Sequence, residues 1–310
     1  MGQFILIVRS ARVAQWIKNV TVFAPIVFSG FLFVPGALPR VMWAFFLFCG
    51  LSSAIYFFND LVDIKKDRLH PFKKKRPIAS GELELVNAIA VFLALAGAVL
   101  FFSYATGSFF FLVMAAYFAL NVFYSLWWKR VPILDVFSIA AGFILRVYAG
   151  AFVINVHMDV WFLLTVVSAS LFLAVGKRRS EMTLLTGAGV DVQKHRSTLI
   201  HYTPALLDAY TTMFANTTWL TYALFSFLHP PFQAEGKVLQ IFTLLPRTLV
   251  WEKWLMTTVP VVIYGVMRYM LIIYEKNQGE SPHKVLISDK VLLSTVGLWG
   301  VMVIFLLYFV

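Results

Sequence analysis

The stretch "VMWAFFLFCGLSSAIYFFNDLVDIKKDRLHPFKKKRPIASG" covers residues 41–81 and joins a long apolar run to a dense group of charges. Its first half has enough consecutive apolar residues to cross, as a helix, the roughly 30 Å of hydrocarbon in a bilayer. Its second half carries three aspartates and seven lysines or arginines. The stretch therefore predicts a membrane-spanning helix that ends in a charged, functional segment.

The rest of the chain is equally apolar, with 60% hydrophobic and 13% charged residues among 310. A water-soluble core does not need so much apolar sequence, whereas a lipid-facing exterior does. We therefore predict an all-α polytopic membrane protein, with one domain over residues 1–310 and nine transmembrane helices in one bundle. The nine predicted spans are residues 13–33, 38–59, 83–104, 108–127, 132–154, 159–176, 203–228, 254–274 and 291–310.

Basic residues are distributed unevenly between the two sides of this predicted bundle. Twenty of the 26 lysines and arginines fall in connections on one side, and four fall on the other. The positive-inside rule places the richer side, with the N-terminus, in the cytoplasm of a bacterial-type inner membrane. The same asymmetry explains the net charge of +11 without a nucleic-acid partner. Because the longer polar connections lie on that side, we expect a cytoplasmic-side active cavity.

Asn59, Asp60, Asp63 and Asp67 form the pattern N-D-x-x-D-x-x-x-D. At 100° per residue, the three carboxylates fall within about 60° of one another on a helix. An ionised side chain at this depth costs about 2.5–3.5 kcal/mol, which a cation among the carboxylates can offset. Oxygen-only ligands indicate Mg²⁺. The alternative is a fraying helix end, in which Asp63 and Asp67 pair with the basic residues 65, 66 and 68 of their own segment.

The loop "HPFKKKRPIASG" at 70–81 places basic side chains beside these carboxylates. Carboxylates that hold Mg²⁺, together with lysine and arginine, are a typical way to bind a diphosphate. A basic loop alone is more often a contact with anionic lipid. The combination of both features favours a diphosphate site.

Two further groups stand out within or at the ends of the predicted spans. Arg146 lies mid-span, where an arginine is costly unless it faces a polar cavity, so we expect a phosphate contact or a pairing with Asp135. Tyr124 and Lys129 straddle the cytoplasmic end of the fourth span, where the tyrosine is a candidate donor contact. Lys129 with Arg130 is otherwise an ordinary positive-inside pair.

Several segments together resemble the UbiA-type intramembrane prenyltransferase superfamily and, within it, the decaprenyl-phosphate phosphoribosyltransferase branch. The aspartate motif alone indicates only the superfamily, while the GKR-x-x-E block and the GESP…D tail indicate the branch. The segments are "QWIKNVTVFAPI" (15–26), "NDLVDIKKDRLHPFKKKRPIASG" (59–81), "LDVFSIAAGFILRVYAGA" (134–151), "GKRRSE" (176–181), "HYT" (201–203) and "GESPHKVLISDK" (279–290).

This resemblance implies nine transmembrane helices and transfer of a 5-phosphoribosyl group from phosphoribosyl pyrophosphate to a polyprenyl phosphate, with release of pyrophosphate. It implies that Asp60 and Asp63 hold Mg²⁺ on the donor diphosphate, with Asn59 and Asp67 in support. Among basic residues, Lys73 and Arg76 match positions of the family. The remaining candidate substrate-binding residues are Tyr124, Lys129, Arg146, Lys177, Arg178, Glu181 and Tyr202.

One departure from the wider superfamily bears on the substrate. Ordinary members carry a second aspartate motif, D-x-x-x-D, after the sixth helix, whereas this chain has Glu181 and Asp191 there, ten residues apart. Lys177, Arg178 and Arg179 precede them, and cations suit a phosphate bound directly. The same three residues would otherwise be a positive-inside anchor.

Two other functions remain open on sequence grounds. One is a UbiA-type prenyltransferase that moves an isoprenoid from its diphosphate to an aromatic or other small acceptor. The other is an anion transporter that uses the same intramembrane charges as a pathway. The expected partners are the two substrates and the bilayer, and the sequence leaves a homo-oligomer open.

Overall fold

The computed structural model of the chain describes residues 2–69, 73–187, 201–229, 253–275 and 282–309. Within these ranges all regular elements are helical and there is no strand, which confirms the all-α class. A 3₁₀ segment of 11 residues occurs at Val13–Phe23, and shorter ones occur at Lys73–Lys75, Trp128–Arg130 and Trp254–Thr258. The α-helices, numbered in chain order, are α1 Gln3–Ala11, α2 Ala24–Phe28, α3 Ala37–Val62, α4 Ile64–Leu69, α5 Pro77–Ser80, α6 Leu85–Thr106, α7 Ser108–Leu126, α8 Leu134–Ile154, α9 Val160–Gly187, α10 Pro204–Leu228, α11 Val259–Glu275, α12 Pro282–Ser288 and α13 Lys290–Tyr308.

Seven helices in the described ranges are long and apolar enough to cross a membrane. They make the chain a multi-pass membrane protein, and they coincide with seven of the nine predicted spans. The seven are Ala37–Val62, Leu85–Thr106, Ser108–Leu126, Leu134–Ile154, Val160–Thr183, Trp254–Glu275 and Lys290–Tyr308.

The other two predicted spans, 13–33 and 203–228, are helical but differ from the seven. Val13–Phe28 is a shorter apolar helix, and most of it is the 3₁₀ segment. Helix α10 has 25 residues, but several threonines lower its hydropathy. Their hydroxyls donate to carbonyls one turn earlier, as Thr211 does to Leu207 at 2.7 Å. The count of nine spans therefore stays a prediction.

The chain packs as two compact units, which are described separately. The first unit comprises Met1–Ile26 and Phe33–Val156, and the second comprises Val27–Leu32 and His157–Val310. Each unit contains several of the long apolar helices and its own buried core. The single domain expected over residues 1–310 stays a prediction.

In the first unit, α3 is the central helix and packs against α6, α7, α8 and the segment Val13–Phe23. Phe48, Leu51 and Phe57 on α3 are fully buried. The segment Val13–Phe23 approaches α8 so closely that a Cβ added at Gly150 would lie 2.0 Å from the carbonyl oxygen of Val22. Only glycine permits this contact, which holds the N-terminal segment against the unit.

We expect Gly150→Ala to destabilise the protein, because a methyl group there requires the two backbones to separate. Overpacking of this kind typically costs about 1–3 kcal/mol. The measurement is thermal unfolding of the detergent-solubilised chain. Gly97→Ala on α6 is the matched control, since its Cβ meets nothing within 4 Å. An unchanged midpoint for Gly150→Ala would show that the close approach does not exist.

The second unit is built around α9 and α10, which pack along each other. A buried apolar cluster joins them to α11, α12 and α13. Its members are Phe172, Ala215, Tyr269, Ile272, Ile273, Val285 and Leu292. At the start of α13, Asp289 caps the helix and accepts hydrogen bonds from Arg268 of α11, at 2.8 and 3.2 Å.

Candidate active site

The acidic motif lies where α3 ends and α4 begins. Asp63 is the C-cap of α3, and the backbone N–H of Asp67 donates to its carbonyl at 2.8 Å, so the helical path continues with a small break. Asp60 and Asp67 are buried, whereas the side chain of Asp63 is 28% exposed. The helical spacing places Asp60 and Asp67 close enough to share one arginine, whereas Asp63 pairs with Lys129.

Arg76 joins two of these carboxylates. Its Nη1 donates to Oδ1 of Asp60 at 3.0 Å and to Oδ2 of Asp67 at 2.5 Å. The chain returns to this position because Arg76 precedes Pro77 at the start of α5, which ends at Gly81 in the left-handed region, with φ of 85°. The described part of the basic loop predicted to bind a diphosphate, residues 73–81, therefore contacts the acidic motif through Arg76, and residues 70–72 of that loop lie outside the described residues.

The other two residues of the motif, Asn59 and Asp63, accept hydrogen bonds from helix α7 and the turn after it. Nζ of Lys129 donates to both oxygens of Asp63, at 2.6 and 2.7 Å. The hydroxyl of Ser125 donates to Oδ1 of Asn59. Asp63 and Asp67 therefore pair with Lys129 and Arg76, and not with the basic residues of their own segment. The fraying-end interpretation is wrong.

Arg12 contacts the acidic motif, and the sequence did not reveal this contact. Its guanidinium donates to Oδ1 of Asp60, the same atom that accepts from Arg76, and it lies 4.8 Å from the ring centre of Tyr56. Arg12 and Asp60 are 48 residues apart. In the sequence it looks like one more cytoplasmic basic residue, and no local pattern distinguishes it.

The carboxylates suit Mg²⁺ in their chemistry. Asp60 and Asp67 are buried, and each has a carboxylate oxygen within 3.0 Å of the same arginine nitrogen. Mg²⁺ usually takes one or two carboxylates as ligands and completes its shell with phosphate oxygens and water. Among the described residues, no set of three or more His, Cys, Asp or Glu side chains is arranged as a complete metal site. Two buried carboxylates, completed by phosphate oxygens and water, are a ligand set that Mg²⁺ accepts. The specific pair Asp60 and Asp63 stays a prediction.

A second charged cluster lies on α9 in the other unit. Arg178 is fully buried, and its Nη1 donates to Oε2 of Glu181 at 2.8 Å. Nζ of Lys177 is 3.8 Å from the other oxygen of Glu181. Glu181 therefore orients both basic side chains. Asp191, the other acidic residue noted in this connection, lies outside the described residues.

Arg179 faces a different group on neighbouring helices. Its Nε donates to Oδ1 of Asp208 at 2.5 Å, and the hydroxyl of Tyr274 donates to the same oxygen at 2.9 Å. These contacts tie α9 to α10 and α11. They fix the helix segment that carries Lys177 and Arg178.

Arg146 is held inside the first unit by neutral groups. Its Nε donates to Asn19 at 2.8 Å, Nη1 to the carbonyl of Gly142 at 2.8 Å, and Nη2 to the hydroxyl of Tyr117 at 2.6 Å. Its side chain does not pair with Asp135, which lies eleven residues earlier on α8 and so about 16 Å along the helix axis. The expected pairing with Asp135 is wrong, and the phosphate contact stays a prediction.

The other predicted residues lie at helix ends. Lys73 is exposed in the 3₁₀ turn before Arg76, and Tyr124 is half-buried in the last turn of α7. Tyr202 is buried immediately before Thr203, the N-cap of α10. Their roles in binding stay predictions.

Comparison with known proteins identifies the family. The sequence model of the UbiA prenyltransferase family matches residues 22–296. The chain belongs to this family. A decaprenyl-phosphate phosphoribosyltransferase of Corynebacterium glutamicum is 31% identical over 97% of the chain and 86% of its own length. The enzyme of that name from Mycolicibacterium smegmatis is 32% identical over 92% of the chain and 87% of its own length.

Solved UbiA structures share the fold. A UbiA homologue from Archaeoglobus fulgidus, bound to GPP and Mg²⁺, has a TM-score of 0.69 at 19% identity and covers 96% of this chain and 99% of its own. A digeranylgeranylglyceryl phosphate synthase has a TM-score of 0.61 at 15% identity, over 99% of each chain. At such low identity, these two structures establish the fold of the UbiA family member and no more.

Proposed function

We propose that this protein transfers a 5-phosphoribosyl group from phosphoribosyl pyrophosphate to a polyprenyl phosphate of the decaprenyl phosphate type and releases pyrophosphate. The observation that carries the proposal is the similarity to decaprenyl-phosphate phosphoribosyltransferases over 92–97% of the chain. The buried cluster of carboxylates and arginines supports it, because a donor with a diphosphate leaving group needs such charges.

In the proposed reaction, the bond between the anomeric carbon of ribose and the pyrophosphate oxygen breaks. A bond forms between that carbon and an oxygen of the lipid phosphate. The attacking oxygen is already anionic, so the protein need not supply a strong general base. Catalysis then consists mainly of positioning the two substrates and stabilising the charge on pyrophosphate.

The residues around Asp60 would stabilise the charge on the departing pyrophosphate. Arg76 is 28% exposed and directly precedes Pro77 at the start of α5, and it can donate to pyrophosphate oxygens while it remains near Asp60. Lys73, three residues before Arg76, and Lys129, which pairs with Asp63, would add further positive charge. When bound to Asp60 and its neighbours, Mg²⁺ would neutralise part of the charge on the departing pyrophosphate.

The cluster on α9 is proposed to bind a phosphate directly. Arg178 is buried and is oriented by its hydrogen bond to Glu181, and a guanidinium can bind phosphate through two parallel hydrogen bonds. Glu181 would then act as a positioning residue for Arg178. The bound group is either the 5-phosphate of the donor or the phosphate of the lipid.

The uneven distribution of basic residues supports a position in the inner membrane with the N-terminus in the cytoplasm. The charged ends of α3, α4 and the loop before α5 would then face the cytoplasm, where a water-soluble donor is available. A homo-oligomer is compatible with this function but not required by it.

The activity is tested by incubating the purified chain with Mg²⁺, ribose-labelled phosphoribosyl pyrophosphate and a polyprenyl phosphate. We expect label in the organic phase and one pyrophosphate released for each labelled lipid. A parallel reaction contains a labelled prenyl diphosphate and an aromatic acceptor, which tests the prenyltransferase alternative. Label transfer only in the second reaction, or in neither, would contradict the proposal.

A further inference from the structure

Two guanidinium groups converge on one carboxylate oxygen in the first unit. Arg12 and Arg76 both donate to Oδ1 of Asp60, while Arg76 also donates to Asp67. Asp60 is nearly inaccessible, at 3% side-chain exposure, whereas the side chains of the two arginines are 27% and 28% exposed. The arginines thus lie between the buried acid and the solvent-accessible side of the site.

Arg76 is shared between Asp60 and Asp67, so the two arginines balance the charge of the two buried carboxylates. Because Arg12 and Arg76 donate to the same oxygen of Asp60, their two like charges lie close together. Two neighbouring guanidiniums repel one another, and an anion with more than one negative charge that lies between them relieves the repulsion.

Arg12 has donors available for such an anion. A guanidinium has five N–H groups in a planar fork, and within the described residues one hydrogen bond from the Arg12 side chain is present, to Asp60. Its face lies over Tyr56, which restricts its orientation. The remaining N–H groups are free to contact a ligand.

The backbone at Arg12 supports a specific placement. Arg12 has φ of 52° and ψ of 52°, a left-handed conformation that costs a non-glycine residue roughly 1–2 kcal/mol. Neighbouring contacts hold the bend: Ser53 on α3 donates to the carbonyl of Ala11 at 3.0 Å and accepts from Trp16 at 3.0 Å. The surrounding structure therefore imposes a strained backbone at the residue that contacts Asp60.

We propose that Arg12 is a donor-binding residue: the N-terminal segment contributes it to bind the pyrophosphate group of the donor directly, together with Arg76. This inference rests on the proposed function and extends it to a residue far from the acidic motif in sequence. The competing explanation is that Arg12 is only a counter-ion that stabilises buried Asp60. The two explanations differ in what they predict for ligand affinity.

The test is isothermal titration of the full chain in detergent with inorganic pyrophosphate and Mg²⁺. Arg12→Gln is expected to raise the dissociation constant about ten-fold or more, as the loss of a charge-assisted hydrogen bond implies. Arg9→Gln is the matched control. Arg9 is exposed, lies one helical turn before Arg12 and donates to the carbonyl of Lys75. Its replacement by glutamine removes the same charge and leaves the contacts of Asp60 in place. It is expected to change affinity by less than about two-fold.

Kinetics separate binding from a structural role. Arg12→Gln is expected to raise KM for the donor while KM for the lipid acceptor stays unchanged. If Arg12→Gln does not fold, Arg12→Lys keeps the charge but not the planar fork, and it is expected to weaken pyrophosphate binding measurably.

Unchanged pyrophosphate affinity in the folded Arg12 variant, or an equal loss in Arg9→Gln, would overturn the inference and leave the proposed function intact. If the unaltered chain binds no pyrophosphate with Mg²⁺, both are rejected.

Discussion

Asp60→Asn is expected to lower kcat/KM for phosphoribosyl pyrophosphate by roughly 10²–10³-fold, the usual effect of removing one preorganised charge from an active site. The buried Asp60 accepts hydrogen bonds from Arg12 and Arg76, and asparagine has nearly the same shape without the negative charge. The variant therefore loses the charge that would bind a metal ion and that orients the two arginines. The measurement is transfer of labelled ribose to polyprenyl phosphate.

Glu82→Gln is the control for this variant, because Glu82 is an exposed acid close in sequence to the same loop. It is expected to retain nearly full activity. Gel filtration of both variants checks that they remain folded. An Asp60→Asn protein with activity close to that of the unaltered chain would show that the carboxylate has no part in the reaction.

Arg146→Met is expected to lower the free energy of unfolding by about 2–4 kcal/mol, since hydrogen bonds to charged groups contribute about 1.5–3 kcal/mol each. The guanidinium makes three such bonds and lies within 5.5 Å of the ring centres of Phe48, Tyr117 and Phe143. Burial of a charge with no carboxylate partner among the described residues opposes this stabilisation. We expect the bonds and rings to outweigh that cost.

Thermal unfolding in detergent measures the effect, and Arg40→Met at the exposed start of α3 is the control for loss of an arginine. A residue whose main role is to bind phosphate would behave differently. It would give a higher donor KM at an unchanged unfolding midpoint, and this result would contradict the structural role assigned to Arg146.

Local periodicity explains what the sequence predicted well. The carboxylates of Asp60 and Asp67 converge because a helix brings residues seven apart to nearly the same face. Both contact Arg76, which follows Asp67 by only nine residues. The basic loop was predicted to lie beside the carboxylates, and Arg76, directly before Pro77 at the start of α5, does contact two of them.

Long-range contacts explain what the sequence did not predict. Asp63 pairs with Lys129, 66 residues away, and Asp60 pairs with Arg12, 48 residues away, and neither pairing leaves a pattern in a single sequence. Arg146 illustrates the same limit. Its position within a predicted span indicated a polar environment. Its hydrogen bond to Asn19, 127 residues away, forms because the segment Val13–Phe23 packs against α8.

Hydropathy predicted where the helices lie but not which of them departs from α-helical geometry. The first predicted span is largely a 3₁₀ helix of 11 residues, a form that seldom extends beyond 3–4 residues, and no composition rule indicates it. At roughly 2.0 Å per residue, this segment is about 22 Å long, which is longer than an α-helix with the same number of residues.

We propose that the buried carboxylates of Asp60 and Asp67, where α3 ends and α4 begins, hold a divalent ion that binds together with pyrophosphate. Electron paramagnetic resonance of Mn²⁺, used in place of Mg²⁺, measures this directly in the unaltered chain and in the Asp60→Asn variant. We predict that pyrophosphate strengthens Mn²⁺ binding to the unaltered chain and that the variant loses this effect. Equal Mn²⁺ binding by both proteins in the presence of pyrophosphate would contradict the account.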